Sequence, residues 1–250
     1  MRLAVGIFFS LTFICSVSWL LWLEIERQQE EEINGPRYHT FGVELPRNTG
    51  LVGIDISRYQ DRIDWEGVKS ARDGERCISF VFIKATEGGT HTDLNFKENW
   101  RAAKEAGLRR GAYHYFRPST TSDKQFQNFT GMVHLQSGDL PPVVDFEEEG
   151  RNKDKTLSRL KDLLTKLDRH YGVKPIVYCN YDYYRRYIEG TALEAHPIWL
   201  AHYGVANPRT NNWMFWQFSD RATISGIAGK VDLNVFQGDS TKLMQLCMRR

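Results

Sequence analysis

The tripeptide Asp145-Phe146-Glu147 is the strongest chemical feature of the chain. Residues two apart on an extended segment point to the same side, so both carboxyls enter one space while Phe146 turns away. Two neighbouring acids resist ionising together, which lets one hold a proton while the other stays anionic. That division suits cleavage of a glycosidic bond, where a leaving oxygen is protonated as an oxocarbenium-like centre develops. The spacing leaves both the retaining and the inverting carboxyl separation open. A strand end exposing acids to water would carry the same tripeptide, so its meaning depends on what else shares the space.

Eight short runs rich in β-branched and aromatic residues supply that context: 51–57, 78–84, 111–116, 142–147, 175–180, 197–203, 213–219 and 231–236. Nearly continuous apolar runs suit strands covered on both faces. Helical periodicity follows the early ones, with Phe96, Trp100 and Ala103 in one stripe and Leu157, Leu160, Leu164 and Leu167 in another, the latter between a possible N-cap at Thr156 and a stop at Gly172. Weaker helices are expected near 64–72, 122–136 and 182–190. After the sixth strand the connections are too short or too rich in Gly, Asn and Pro for full helices. The pattern predicts an α/β fold, an irregular TIM-like barrel whose eight strands carry helices mainly after the first five. An open doubly wound sheet would place a Gly-rich loop after its first strand, and none is present.

In such barrels the working groups gather at the C-terminal ends of the strands. Those ends carry Asp55, Lys84 with Glu87, His114 and Tyr115, Asp145 and Glu147, Tyr178 and Asn180, Ala201 and Tyr203, and Trp216 and Gln217. Asp232 is the exception, falling near the start of its run. Tyr59, Tyr113, Tyr178, Tyr203 and Trp216 can each stack on a sugar ring; Tyr113, Tyr178 and Trp216 are the expected platforms, and Trp199 the packing residue. No H-x-x-x-H or paired-His spacing accompanies the acids, so no metal or other cofactor is expected.

The balance of 33 Lys+Arg against 31 Asp+Glu is too even for electrostatic capture of nucleic acid. Leu3 to Leu23 contains no charged residue, and at ~1.5 Å rise per residue it would span about 30 Å, the thickness of a bilayer core. It ends in Trp-Leu-Leu-Trp-Leu without a small-residue cleavage pattern, which favours an uncleaved anchor over a secretory signal removed by cleavage. Arg2 before it and glutamates after it place the N-terminus in the cytoplasm and the bulk of the chain in the periplasm or outside the cell. The expected organisation is an anchor at 1–23, a polar stalk at 24–49, a catalytic barrel at 50–238 and a tail at 239–250. Cys77, Cys179 and Cys247 would then lie where disulfides can form, and with three of them at least one stays free or pairs between chains.

Taken together, Gly53-Ile54-Asp55-Ile56-Ser57 with Gln60, Phe82 to Gly88, Gly111 to Tyr115, Pro142 to Glu147, Ile198 to Tyr203, Trp216 to Ser219 and Val231 to Asn234 resemble glycoside hydrolase family 25, the Chalaropsis-type lysozymes. The resemblance covers about residues 50 to 238. It implies an N-acetylmuramidase that cuts the β-1,4 bond between N-acetylmuramic acid and N-acetylglucosamine in the glycan strands of peptidoglycan, acting as a monomeric barrel. By carry-over Glu147 is the general acid, and Asp145 orients the substrate's 2-acetamido group as internal nucleophile, a route that stands beside covalent and water-attack alternatives. Asp55 and Asp232 match the remaining acidic site residues, Glu87 an acid of the older family patterns, and Lys84 a partner for these acids. The chain departs from the family at Asp61 and His91, both in loops near the mouth. The alternative is a barrel that keeps the groove as a wall-binding module with little catalysis.

Overall fold

The computed structural model describes residues 19, 21–26, 40–47 and 50–249. The chain divides into two units, 1–39 and 40–250. In the first, residues 21–26 are helical. The apolar run 3–23, expected to cross a membrane, lies outside the described residues except at 19 and 21–23. Among the described residues no helix is long and apolar enough to cross a membrane.

The second unit is an α/β barrel. In chain order it comprises β1 (Val52–Ile56), α1 (Trp65–Ser70), β2 (Arg72–Asp73), β3 (Arg76–Glu87), β4 (His91–Thr92), α2 (Phe96–Glu105), β5 (Arg109–Tyr115) and α3 (Ser122–Met132). It continues with β6 (Val143–Asp145), α4 (Lys153–Tyr171), β7 (Ile176–Asn180), α5 (Tyr181–Tyr183, running on as a π turn over Tyr184–Ile188), β8 (Ile198–Ala201), β9 (Phe215–Ala222), β10 (Val231–Phe236) and α6 (Ser240–Leu246). The strands run β1-β10-β9-β8-β7-β6-β5-β3, and parallel pairing of β3 with β1 closes the ring at eight. Helices follow the first five barrel strands, and β8 to β10 follow one another without one. One strand departs from the all-parallel expectation: β10 is antiparallel to both β1 and β9.

Strand alternation fills the barrel in layers. Phe80, Phe82, Val143, Ile176, Tyr178, Trp199, Phe215 and Phe236 point inward as one cluster, with Phe82 stacked on Trp199 at 4.4 Å between ring centroids. Two glycines make room for these rings. A Cβ at Gly53 would lie 2.4 Å from the Phe80 ring, and one at Gly111 would lie 2.5 Å from Phe82. The outward strand residues pack under the helices, as α4 shows: Leu160, Leu163, Leu164 and Leu167 are buried along one stripe. Its N-cap is Asn152, whose side chain accepts from Lys155 N–H, and not Thr156, which is buried and donates its hydroxyl to Asn152 O at 2.9 Å. Gly172 ends the helix in the left-handed conformation, φ 70°.

Two segments differ from the expected organisation. Residues 40–47, read as the end of a stalk, lie against the barrel: Phe41 is buried and its carbonyl accepts from Thr223 N–H. Residues 239–250, read as a tail, contain α6, whose Leu243 joins the inner cluster together with Cys247. Cys77, Cys179 and Cys247 are free thiols.

Candidate active site

The strand ends converge on a pocket of about 230 Å³ lined by Asp55, Tyr113, Asp145, Glu147, Tyr178, Trp199, Tyr203, Gln217 and Asp232. Its floor is the aromatic layer below, since the Trp199 ring packs edge-on against Tyr178 and Tyr113 and stacks on Phe82. A polar site above an apolar floor raises the energetic cost of charge and strengthens every hydrogen bond within it.

Asp55 sits at the centre of a clamp. Gln217 Nε2 donates to Asp55 Oδ2 at 2.9 Å and Asn234 Nδ2 donates to the same oxygen at 2.8 Å. Each amide is fixed by its other end: Gln217 Oε1 accepts from the Tyr178 hydroxyl at 2.8 Å and from Tyr203, and Asn234 Oδ1 accepts from Trp199 Nε1 at 2.8 Å. Asp232 stands opposite Asp55 in the β1–β10 ladder. Burial pushes Asp55 up to about 6 even though the two amides hold its charged form, and burial beside Asp55 pushes Asp232 up to about 8. The pair therefore keeps a proton at neutral pH, with Asp232 its better holder.

Asp145 ends β6 and is only 7% exposed, whereas Glu147 stands exposed on the rim. Phe146 between them points outward, packed against Phe116, Tyr183 and Tyr187. Asp145 Oδ1 is buried and has no hydrogen-bond partner among the described residues. Burial, and then the Glu147 charge, raises the Asp145 carboxyl well above the carboxylate range. Burial of its carboxyl against the mouth also raises Glu147, opposed by the Tyr178 hydroxyl and the Lys84 ammonium. One acid thus lines the depth of the pocket with an oxygen left for a ligand, and the other reaches the same cup from the rim, an arrangement able to protonate a leaving oxygen and hold a developing positive group.

The Glycosyl hydrolases family 25 model matches residues 54–227. The chain belongs to glycosyl hydrolase family 25. It is 41% identical over 207 residues to YegX of Escherichia coli K12, covering 82% of this chain and 76% of that protein. It is 32% identical over 231 residues to Lysozyme M1 of Streptomyces globisporus, covering 85% and 76%. Its fold is similar to the crystal structure of the bacterial lysozyme from Streptomyces coelicolor, with a TM-score of 0.72 at 29% identity over 80% of this chain and 98% of the other.

The family 25 barrel of this chain is a glycoside hydrolase, and its pocket gathers some of the residues singled out in the sequence and leaves others aside. Asp55, Asp145, Glu147 and Asp232 share it with Tyr113, Tyr178 and Tyr203. Trp216 does not: its side chain is 0% exposed, packs outward against Trp213 and Phe218, and donates Nε1 to His202 O, so no sugar can stack on it. Strand alternation is the reason. Gln217 is the inward residue, and on the neighbouring β8 Trp199, expected to be packing, supplies the aromatic wall. Lys84 and Glu87 stand beside the pocket, paired with each other at 2.8 Å. Burial opposes ionisation of Glu87, but hydrogen bonds from Lys84 and Arg117 outweigh it and hold the carboxyl at about 2. His114 lies outside the mouth, buried between Thr86 and Gln125. The Gln217 and Asn234 clamp was missed as a functional unit. Its signal was present in the two-residue spacing of Asp232 and Asn234 in an otherwise apolar strand, the same spacing as Asp145 and Glu147.

Proposed function

We propose that this chain hydrolyses peptidoglycan at the β-1,4 bond between N-acetylmuramic acid and N-acetylglucosamine, with retention at the anomeric carbon. The relatives that bear the name lysozyme support this substrate. The observation that carries the mechanism is the nearly buried Asp145 lining the pocket, with one oxygen lacking a partner among the described residues, two residues from the accessible Glu147. Glu147 donates its proton to the leaving 4-oxygen as the substrate's acetamido oxygen closes on C1. The acetamido N–H supplies Asp145 with the donor it lacks and, together with the Lys84 charge, favours its ionised form, which leaves the pair's proton on Glu147; the Asp145 carboxylate then stabilises the positive charge of the resulting oxazolinium ring. Glu147, now ionised, takes a proton from water as that water opens the ring at C1. Asp55 and Asp232 set the charge of the cup, and Tyr113, Tyr178 and Tyr203 border the sugar. The uncharged run 3–23 supports an anchored chain whose barrel acts on wall material in the periplasm or outside the cell.

Digestion of purified peptidoglycan followed by mass spectrometry of the borohydride-reduced fragments tests this reading. Muramic acid at the reducing end is expected, and Glu147→Gln should abolish release while the protein stays folded. Reducing-end glucosamine, or intact glycan strands, would reject it.

A further inference from the structure

Arg117 lies two residues beyond the end of β5 and outside the pocket lining. Its Nε donates to Glu87 Oε1 at 2.9 Å, and its Nη1 donates to Glu148 Oε2 at 2.6 Å. Glu148 is the residue next to Glu147. The geometry points to Arg117 as the positioning residue for Glu147, acting through Glu148; this rests on the reading of Glu147 as the acid.

Glu147 needs such a tie. β6 ends at Asp145, and Phe146 N–H still donates to Tyr178 O at 2.9 Å. Beyond it no backbone–backbone hydrogen bond holds residues 147–150 among the described residues. The segment hangs instead on side chains: Glu147 on the Tyr178 hydroxyl, Glu148 on Arg117, and Glu149 on Tyr183, Tyr187 and, at 3.5 Å between two exposed groups, Arg186.

Arg117 is itself immobilised from three directions. Gln125 Oε1 accepts from Arg117 N–H at 2.8 Å and Gln125 Nε2 donates to Arg117 O at 3.1 Å, so one side chain grips both backbone groups. Because that Oε1 can only accept, His114 must donate to it from Nε2 at 3.0 Å and accept at Nδ1 from the Thr86 hydroxyl at 2.7 Å. The guanidinium also lies 4.8 Å from the centre of the Tyr115 ring, and Glu87 is held from its other oxygen by Lys84 at 2.8 Å. The rigid end of β3 is thereby linked to the unpaired segment that bears the acid. An ion pair this exposed contributes little to folding stability. A proton donor displaced by ~1 Å, in contrast, can lose about 100-fold in rate.

The test is a double-mutant cycle with Arg117→Met and Glu148→Gln, on soluble peptidoglycan fragments. Each single variant should lower kcat by roughly 10- to 100-fold with little change in KM, and the double variant should be no worse than the poorer single one. Arg117→Lys, which can reach only one of the two carboxylates, should recover part of the loss. Multiplying losses, or kcat unchanged in both singles, would overturn the assignment. Backbone 15N relaxation provides an arm independent of turnover: both singles should lower the order parameters of residues 147–150, and the double no further. Unchanged order parameters there would also overturn it. An unmodified protein without hydrolytic activity would reject the muramidase reading, and the relaxation arm would still decide whether Arg117 holds the segment.

Discussion

Asp55 on β1 and Asp232 on β10 are direct cross-strand partners, and the reversal of β10 makes them so. In a parallel barrel a residue near the start of a strand lies at the closed end, far from the mouth. Because β10 runs against both neighbours, its second residue arrives level with the C-terminal end of β1. Two carboxyls face each other there in the pocket, and Gln217 and Asn234 both donate to the Asp55 one.

Stability should therefore fall with rising pH across the neutral range. Asp55 is raised to about 6 and Asp232 to about 8, so between the unfolded value near 4 and those values the native state binds more protons than the unfolded chain. That contribution is fully present below about pH 4 and is lost as pH climbs through 6 and 8. Glu87, held at about 2, acts with the opposite sign: its contribution is present above the unfolded value and is lost only as pH falls towards 2. Thermal unfolding followed between pH 6.5 and 8.5, above the range in which buried His114, lowered to about 4, acts with the opposite sign, should show a declining Tm, and Asp232→Asn should remove part of that slope, the raised Asp145 carrying the rest. A wild-type Tm that rises over the same interval would contradict the shared proton.

Lys84 is expected to set the upper pH limit of activity. Its ammonium favours the ionised form of both Glu147 and Asp145, opposing the burial that raises them. A general acid works while protonated, so under the proposed role of Glu147 activity should decline as pH rises through its value. Lys84→Met removes the opposing charge, and the alkaline limb of kcat against pH should move upward. Part of any loss in rate at low pH would come from Glu87, which would keep only Arg117 as partner. A limb that moves downward, or stays where it is, would remove Lys84 from the site's electrostatics.

The barrel was legible because its strands are apolar enough to stand out and its helices follow the early ones at regular intervals. Bounds fell within a few residues, since Gly and Pro punctuate the chain at the turns. What could not be read was direction: nothing in Val231–Phe236 marks it as running backwards, so Asp232 seemed out of place when it is in register with Asp55. The inward face was misjudged at Trp216 for a related reason. Both Trp216 and Gln217 are plausible mouth residues, and only the pairing of β9 with β8 and β10 decides which one enters the barrel. The Asp145 and Glu147 pair was easier to read from its spacing, and both groups line one pocket although β6 ends at Asp145.

Asn234 should prove as sensitive as the acids it serves. It is fully buried, donates to Asp55 Oδ2, and accepts the Trp199 indole N–H. Asn234→Leu, of similar volume, leaves that indole donor unpaired in the barrel interior, at a cost of about 1–3 kcal/mol. It also strips Asp55 of one of the donors that favour its charged form, so the Asp55 carboxyl should move above about 6. Calorimetry should record the lost stability, and carboxyl-carbon NMR the upward shift. Gln217 would remain on Asp55 as a single donor, so the shift should be partial, and Gln217→Leu added to Asn234→Leu should carry it further. An Asp55 titration unmoved by Asn234→Leu would mean that the clamp orders the pocket without governing its charge.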